Sequence, residues 1–162
     1  MSCDALTDIT IPASVETIDT DAFAYSGLTS VIINNGVKTI GAGAFRYCEQ
    51  LTGIVIPDSV EKIDNSAFLE CKHLTSVTFG ANASIEGSYV FLTTNITTVV
   101  IDSQEIAGIA SYNYNDDLGL YKHNPVVYVK DGIEVPDNSV LKSKGCVKAD
   151  ESDMEGYQKY TK

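Results

Sequence analysis

One strand-like phrase returns five times along this chain, and that recurrence limits the fold more than any other feature of the sequence. It reads Leu6-Thr7-Asp8-Ile9-Thr10-Ile11, Leu28-Thr29-Ser30-Val31-Ile32-Ile33 and Leu51-Thr52-Gly53-Ile54-Val55-Ile56. It continues as Leu74-Thr75-Ser76-Val77-Thr78-Phe79 and Ile96-Thr97-Thr98-Val99-Val100-Ile101, the first positions stepping by 22, 23, 23 and 22 residues. A second column, Phe23, Phe45, Phe68 and Phe91, keeps the same period and follows Ala22, Ala44, Ala67 and Val90. A third, Ile18, Ile40, Ile63 and Ile85, is introduced in its first three copies by Val15, Val37 and Val60.

Each phrase alternates apolar and small polar residues, the mark of a strand with one buried face. Pro12, Asn34-Asn35-Gly36, Pro57-Asp58 and Gly80 then break it. The Val-x-x-Ile stretch and the Ala-Phe pair need burial too, so the chain turns back over the strand. One unit of this size cannot cover both of its sides, whereas stacked units can, with parallel strands about 4.8 Å apart. Five rungs at that spacing make a slab of roughly 25 Å whose core is the stacked columns.

The segment Ile56-Pro57-Asp58-Ser59-Val60-Glu61-Lys62-Ile63-Asp64-Asn65-Ser66-Ala67-Phe68-Leu69-Glu70-Cys71-Lys72-His73-Leu74-Thr75-Ser76-Val77 closely resembles the repeat of the BspA-type leucine-rich repeat family of bacterial and protist surfaces. The likeness runs from residue 6 to about 102. It implies an α/β fold: a right-handed leucine-rich-repeat solenoid with a parallel strand ladder. Residues 1–102 are expected to form about five rungs of 22–23 residues. Residues 103–162 are expected to form a divergent last rung and an irregular C-terminal cap within the same solenoid domain. In that cap Val126-Val127-Tyr128-Val129-Lys130 reads as one more strand, with Val127 and Val129 in the places of Val99 and Ile101. Met154, Tyr157 and Tyr160, three apart, predict one face of a short helix over Glu151–Tyr160. The first phrase begins by residue 6 without a capping segment, so the chain reads as a piece of a longer repeat protein or a short member with a poorly protected start.

Charge and composition exclude several roles. The chain carries 11 basic and 22 acidic residues, a net charge of −11, which repels nucleic acid and anionic membranes. No apolar run approaches the roughly 20 residues a membrane helix needs, and the first residues form no signal peptide. Residues 1–102 hold 12 acidic and four basic side chains, a surface read chiefly as soluble and secondarily as attractive to a basic partner.

Individual residues offer little chemistry. Of Cys3, Cys48, Cys71 and Cys146, the pair Cys48 and Cys71 shares one slot on adjacent rungs. Their Cα atoms fall within disulfide range, about 5 Å, but stacked side chains point in parallel, so the pair reads as small buried fillers. No Cys-x-x-Cys occurs, and neither His73 nor His123 has a nucleophile or carboxylate tied to it by spacing. Asn113-x-Asn115-x-Asp117 lacks the glycine and the twelfth-position glutamate of a calcium loop. Asn82-Ala83-Ser84 and Asn95-Ile96-Thr97 match the glycosylation triplet. No catalytic residue, cofactor or metal site is assigned.

The outward positions of the ladder are the third and fifth of each phrase. They give a binding face of Ser30, Ile32, Gly53, Val55, Ser76, Thr78, Thr98 and Val100, preceded by Asp8 and Thr10, with Ile32, Val55 and Val100 as an apolar stripe. The resemblance makes this sheet the usual ligand surface. Tyr112, Tyr114 and Tyr121 form an alternative binding loop, because tyrosine concentrates binding energy. By resemblance the chain is a non-catalytic protein–protein interaction module of a cell-surface or secreted adhesin-type protein, with a host or matrix protein as ligand. A structural spacer in a larger surface protein and an intracellular scaffold are the alternatives. Self-association through the open Leu6–Ile11 rung is also expected.

Overall fold

The computed structural model describes residues 5–104, 126–135, 147–148 and 154–161. The repeated phrases become the strands β1 (Asp8–Ile11), β3 (Ser30–Ile33), β5 (Gly53–Ile56), β7 (Ser76–Phe79) and β8 (Thr98–Ile101). Each Val-x-x-Ile stretch ends in a two-residue strand: β2 (Thr17–Ile18), β4 (Thr39–Ile40) and β6 (Lys62–Ile63). The remaining strands are β9 (Val126–Lys130), β10 (Val147–Lys148) and β11 (Tyr157–Thr161). The long strands stack in parallel and in the register of the repeat, Ile9 on Val31, Ile54 on Val77 and Val77 on Val99. The long strands are hydrogen-bonded as β1-β3 and as β5-β7-β8-β9-β11-β10, and the short ones form a second layer, a parallel sheet ordered β2-β4-β6 and extended by an Ile63–Ile85 bridge. The fold is therefore a parallel β-solenoid of leucine-rich repeats.

A tight turn links the two sheets within a rung, as in Val15 N–H to Pro12 O at 3.0 Å and Val60 N–H to Pro57 O at 3.1 Å. Past the second sheet the chain does not coil into helix, so the α/β expectation is met by an almost purely β structure. The cause lies in the backbone around each Ala-Phe pair. Residues two before and two after the phenylalanine are left-handed: Asp21, Gly43, Ser66 and Tyr89, then Tyr25, Tyr47, Glu70 and Thr93, all with φ between 56° and 63°. Left-handed residues at this spacing interrupt an α-helix. They also turn alternate N–H groups toward the next rung. Asp21, Phe23 and Tyr25 donate to Ala42, Ala44 and Arg46 carbonyls at 2.9, 2.8 and 2.9 Å, and the pattern repeats from Phe45 to Ala67 and Phe68 to Val90. Hydrogen bonds that a helix would satisfy internally tie neighbouring rungs together instead.

The core is the set of predicted columns. Phe45, Phe68 and Phe91 are fully buried, and the rings from Phe23 to Phe91 stack at 5.3, 5.3 and 5.1 Å. Burying one such ring contributes roughly 1.5–3 kcal/mol. Ser26, Cys48, Cys71 and Thr94 form a buried polar column. The Cys48 thiol donates to Phe23 O at 3.1 Å and the Cys71 thiol to Phe45 O at 3.2 Å. Cys48 and Cys71 are free, held as fillers that satisfy a carbonyl of the preceding rung. Burial pushes both thiols above their ordinary pKa.

β9 adds one more parallel strand, with Val127 opposite Val99 and Val129 opposite Ile101. The chain then reverses: β11 pairs antiparallel with β9, and β10 antiparallel with β11. The helix expected around Tyr157 and Tyr160 is therefore absent, and those residues lie in β11. Gly156, with φ 78°, turns the chain into the strand, and pairing with the exposed edge of β9 outweighs a marginal three-residue spacing. Strand alternation then separates the two tyrosines: Tyr160 is buried opposite Val127, and Tyr157 sits opposite Lys130.

Candidate functional site

The outward face of the long strands carries few charges. The outward columns of the long-strand sheet are Asp8, Ser30, Gly53, Ser76 and Thr98, and Thr10, Ile32, Val55, Thr78 and Val100. Beside them runs a threonine column, Thr7, Thr29, Thr52, Thr75 and Thr97, in which Thr29 and Thr75 hydroxyls donate to the preceding threonine's carbonyl at 3.1 Å. Across these positions Asp8 is the one charged residue. Ile32 and Val55 stand 55% and 61% exposed, the most exposed large aliphatic side chains among the described residues.

The predicted stripe is only partly continuous. Thr78 separates Val55 from Val100, and Val100 is half-buried beside Tyr128 of β9. Gly53 leaves a notch, since a Cβ there would lie 2.7 Å from Ser76 Oγ. The serine side chain therefore occupies the space a larger residue in rung three would need. Tyr112, Tyr114 and Tyr121 lie outside the described residues, as do Cys3, Cys146, His123 and the Asn113–Asp117 segment.

At its C-terminal end the sheet gains polar groups that the repeat does not announce. Lys159 Nζ lies 5.9 Å from the centroid of the Tyr128 ring, and Lys130 Nζ lies 3.4 Å from Asp102 Oδ2. The Asp102 carboxylate, and then burial, push the Tyr157 phenol up to about 12. Only the antiparallel return of β11 brings Tyr128 beside Lys159, and no repeat column signals a reversal of direction.

The rest of the rung surface carries the charge, and its cations are paired across rungs. Lys38 meets Glu61 at 2.8 Å, Arg46 meets Asp21 at 2.7 Å, Lys62 meets Glu86 at 3.2 Å and Lys72 meets Glu49 at 2.7 Å. These side chains are solvent-exposed and such pairs add little stability, but they align neighbouring rungs. Asn82 and Asn95 likewise spend their amide nitrogens on backbone carbonyls of the preceding rung, Asp58 O at 2.7 Å and Lys72 O at 2.6 Å. His73 is exposed, its Nδ1 2.6 Å from Glu49 O. Among the described residues no three His, Cys, Asp or Glu side chains converge to hold a metal, and no helix is long and apolar enough to cross a membrane.

The family described as the BspA type leucine-rich repeat region matches residues 1–120 in 6 copies. No curated protein matches the sequence. Among solved structures, the chain is similar to the pneumococcal vaccine antigen PcpA at 24% identity, with a TM-score of 0.46. The likeness covers 59% of this chain and 30% of that one, so the chain spans less than a third of the antigen's length.

Proposed function

The chain belongs to the BspA-type leucine-rich repeat family, and on that premise we propose that it is a non-catalytic protein-binding module of a cell-surface or secreted adhesin-type protein. Repeat proteins of this family generally serve as interaction modules. The observation that carries the reading to particular residues is the charge-poor outward face of the five rungs, where Asp8 is the one charged residue, in a chain of net charge −11. Depletion of charge marks the centre of protein interfaces, and charges grouped elsewhere keep such a face accessible in solution. We assign the contact to Ser30, Ile32, Gly53, Val55, Ser76, Thr78, Thr98 and Val100, and extend it to Tyr128 and Lys159.

The face is small. Seven strands, most of them four residues and so roughly 13 Å long, present a plane of about 400 Å². A standard interface takes about 800 Å² from each partner, so this face alone falls short of a standard interface. Tight adhesion then comes from several copies or from partners that wrap beyond the sheet.

Residues 103–162 are proposed as a divergent rung and cap, because an antiparallel return such as β11 ends a parallel stack that could otherwise extend. Self-association through Leu6–Ile11 is proposed too: β1 pairs with β3 on one side and presents its other edge, among the described residues. Cys48 and Cys71 are buried and hydrogen-bonded, so their free state does not favour an intracellular scaffold over a surface protein.

The test is a binding screen against extracellular-matrix and host-surface proteins. Beside it runs a variant carrying Ile32→Glu, Val55→Glu and Val100→Glu, its fold checked by circular dichroism. Binding by the native chain that the variant loses supports the assignment. A panel without any binder favours the spacer reading, and binding that survives in the variant moves the site elsewhere.

A further inference from the structure

We propose that the open end of the first rung takes up a basic extended segment of a partner protein as an added strand, separately from the outward sheet face. The core columns stop short of closure at this end. Leu6, Ile9, Val15 and Phe23 are only partly buried. Their counterparts one rung on, Leu28, Val31, Val37 and Phe45, are buried, three of them completely. Ile9, Val15 and Phe23, with Ile11 and Ile18 beside them, line an apolar groove of about 190 Å³. One further layer of apolar side chains would complete the burial that the second rung already has.

The backbone is open at the same place. Thr7 O accepts from Thr29 N–H at 2.7 Å, and Ile11 O accepts from Asn34 N–H at 3.1 Å. Successive residues of a strand turn their backbone groups to opposite sides, so Asp8 and Thr10 direct N–H and C=O away from β3. Among the described residues β1 pairs with β3 alone. Such an edge accepts an extended segment, whose main-chain bonds give affinity and whose alternate side chains give specificity.

The charges choose the occupant. Residues 1–37 contain five acidic side chains and no lysine or arginine. Asp8, Glu16 and Asp19 are exposed at this rung. The cations of the following rungs are spent on Glu61, Asp21, Glu86 and Glu49, so none of the three has a counter-ion among the described residues. A second copy of the chain brings the same acids to this end and is the weaker occupant. A strand that alternates apolar residues with lysine or arginine fits both the groove and its acidic rim.

Fluorescence anisotropy tests the proposal, with a dye-labelled peptide carrying Leu-Thr-Lys-Val-Thr-Ile between flanking lysines titrated with the native chain. This peptide is expected to bind at least about tenfold more tightly than the same peptide with glutamate at each lysine. Thr10→Pro removes one outward N–H without changing charge, and proline is tolerated where an edge N–H faces solvent. It is expected to weaken the lysine peptide about tenfold or more. Asp8→Lys, at an exposed side chain, is expected to narrow the preference between the two peptides about threefold or more. Circular dichroism checks both folds, and Asp8→Lys decides alone if Thr10→Pro does not fold. Equal affinity for the two peptides overturns the proposal. Lysine-peptide binding undiminished in the folded variants overturns it too, because it shows adsorption to the overall negative charge.

Discussion

The ring of Phe68 lies 5.1 Å from that of Phe91, their planes within 1° of parallel, although 23 residues separate them in the chain. Each ring packs on the ring of the next rung, so removing one opens a gap felt on both sides. Phe68→Ala is expected to cost about 3–5 kcal/mol, and Phe68→Leu less than half as much. Urea denaturation followed by circular dichroism measures both. Equal and small losses would show that the column does not hold the rungs together.

The thiols of Cys48 and Cys71 should not react with Ellman's reagent until the chain unfolds. Both have folded-state pKa values raised by burial. The unfolded chain therefore loses these protons first as pH rises, and it gains stability relative to the fold. Stability should be unaffected by these groups below about pH 8.5 and decline above it. Cys71→Ala should flatten part of that decline. In a chain with Cys3→Ser and Cys146→Ser, which leaves only these two thiols, rapid labelling of the native protein at neutral pH would contradict the burial on which this rests.

The left-handed turn gives opposite expectations for two residues. Thr93 is β-branched at φ 63°, so Thr93→Gly should stabilise by about 0.5–1 kcal/mol despite glycine's greater chain entropy. Gly43 has φ 62°, and a Cβ there would lie 2.9 Å from Arg46 Cδ. Gly43→Ala should therefore destabilise, by about 1 kcal/mol or more. Thermal melts of the two variants decide it, and a shared sign would refute the turn's role.

Pairing through the β1 edge is expected to appear as a mass that rises with concentration in light scattering. Thr10→Lys, at an exposed position of β1, should reduce the association by placing charge on that edge without touching the core. A constant monomer mass at high concentration would remove this contact.

Much of the architecture is legible in the sequence because side-chain columns and backbone register are the same fact in a repeat protein. Leu28, Leu51 and Leu74, or Val77 and Val99, can be placed in the core by counting alone. The left-handed backbone of Tyr25, Tyr47 and Glu70 cannot, because no rung marks that place with glycine. The outward direction of Ile32 and Val55 follows from alternation. Their difference from Val100 depends on Tyr128, which arrives from outside the period. Tyr157 and Tyr160 mislead for a related reason: a three-residue spacing fits a helix face, while pairing with β9 is a tertiary choice.

Whether the charge-poor sheet face carries the function is best tested by two matched variants assayed on one captured protein partner. Ile32→Glu with Val55→Glu adds two charges to the sheet, and Thr17→Glu with Thr39→Glu adds two to the opposite side. The account predicts that the first pair weakens binding by about 100-fold, that the second leaves it unchanged, and that affinity varies little with salt. Strong binding by the first pair together with loss in the second, or a steep salt dependence, would contradict it.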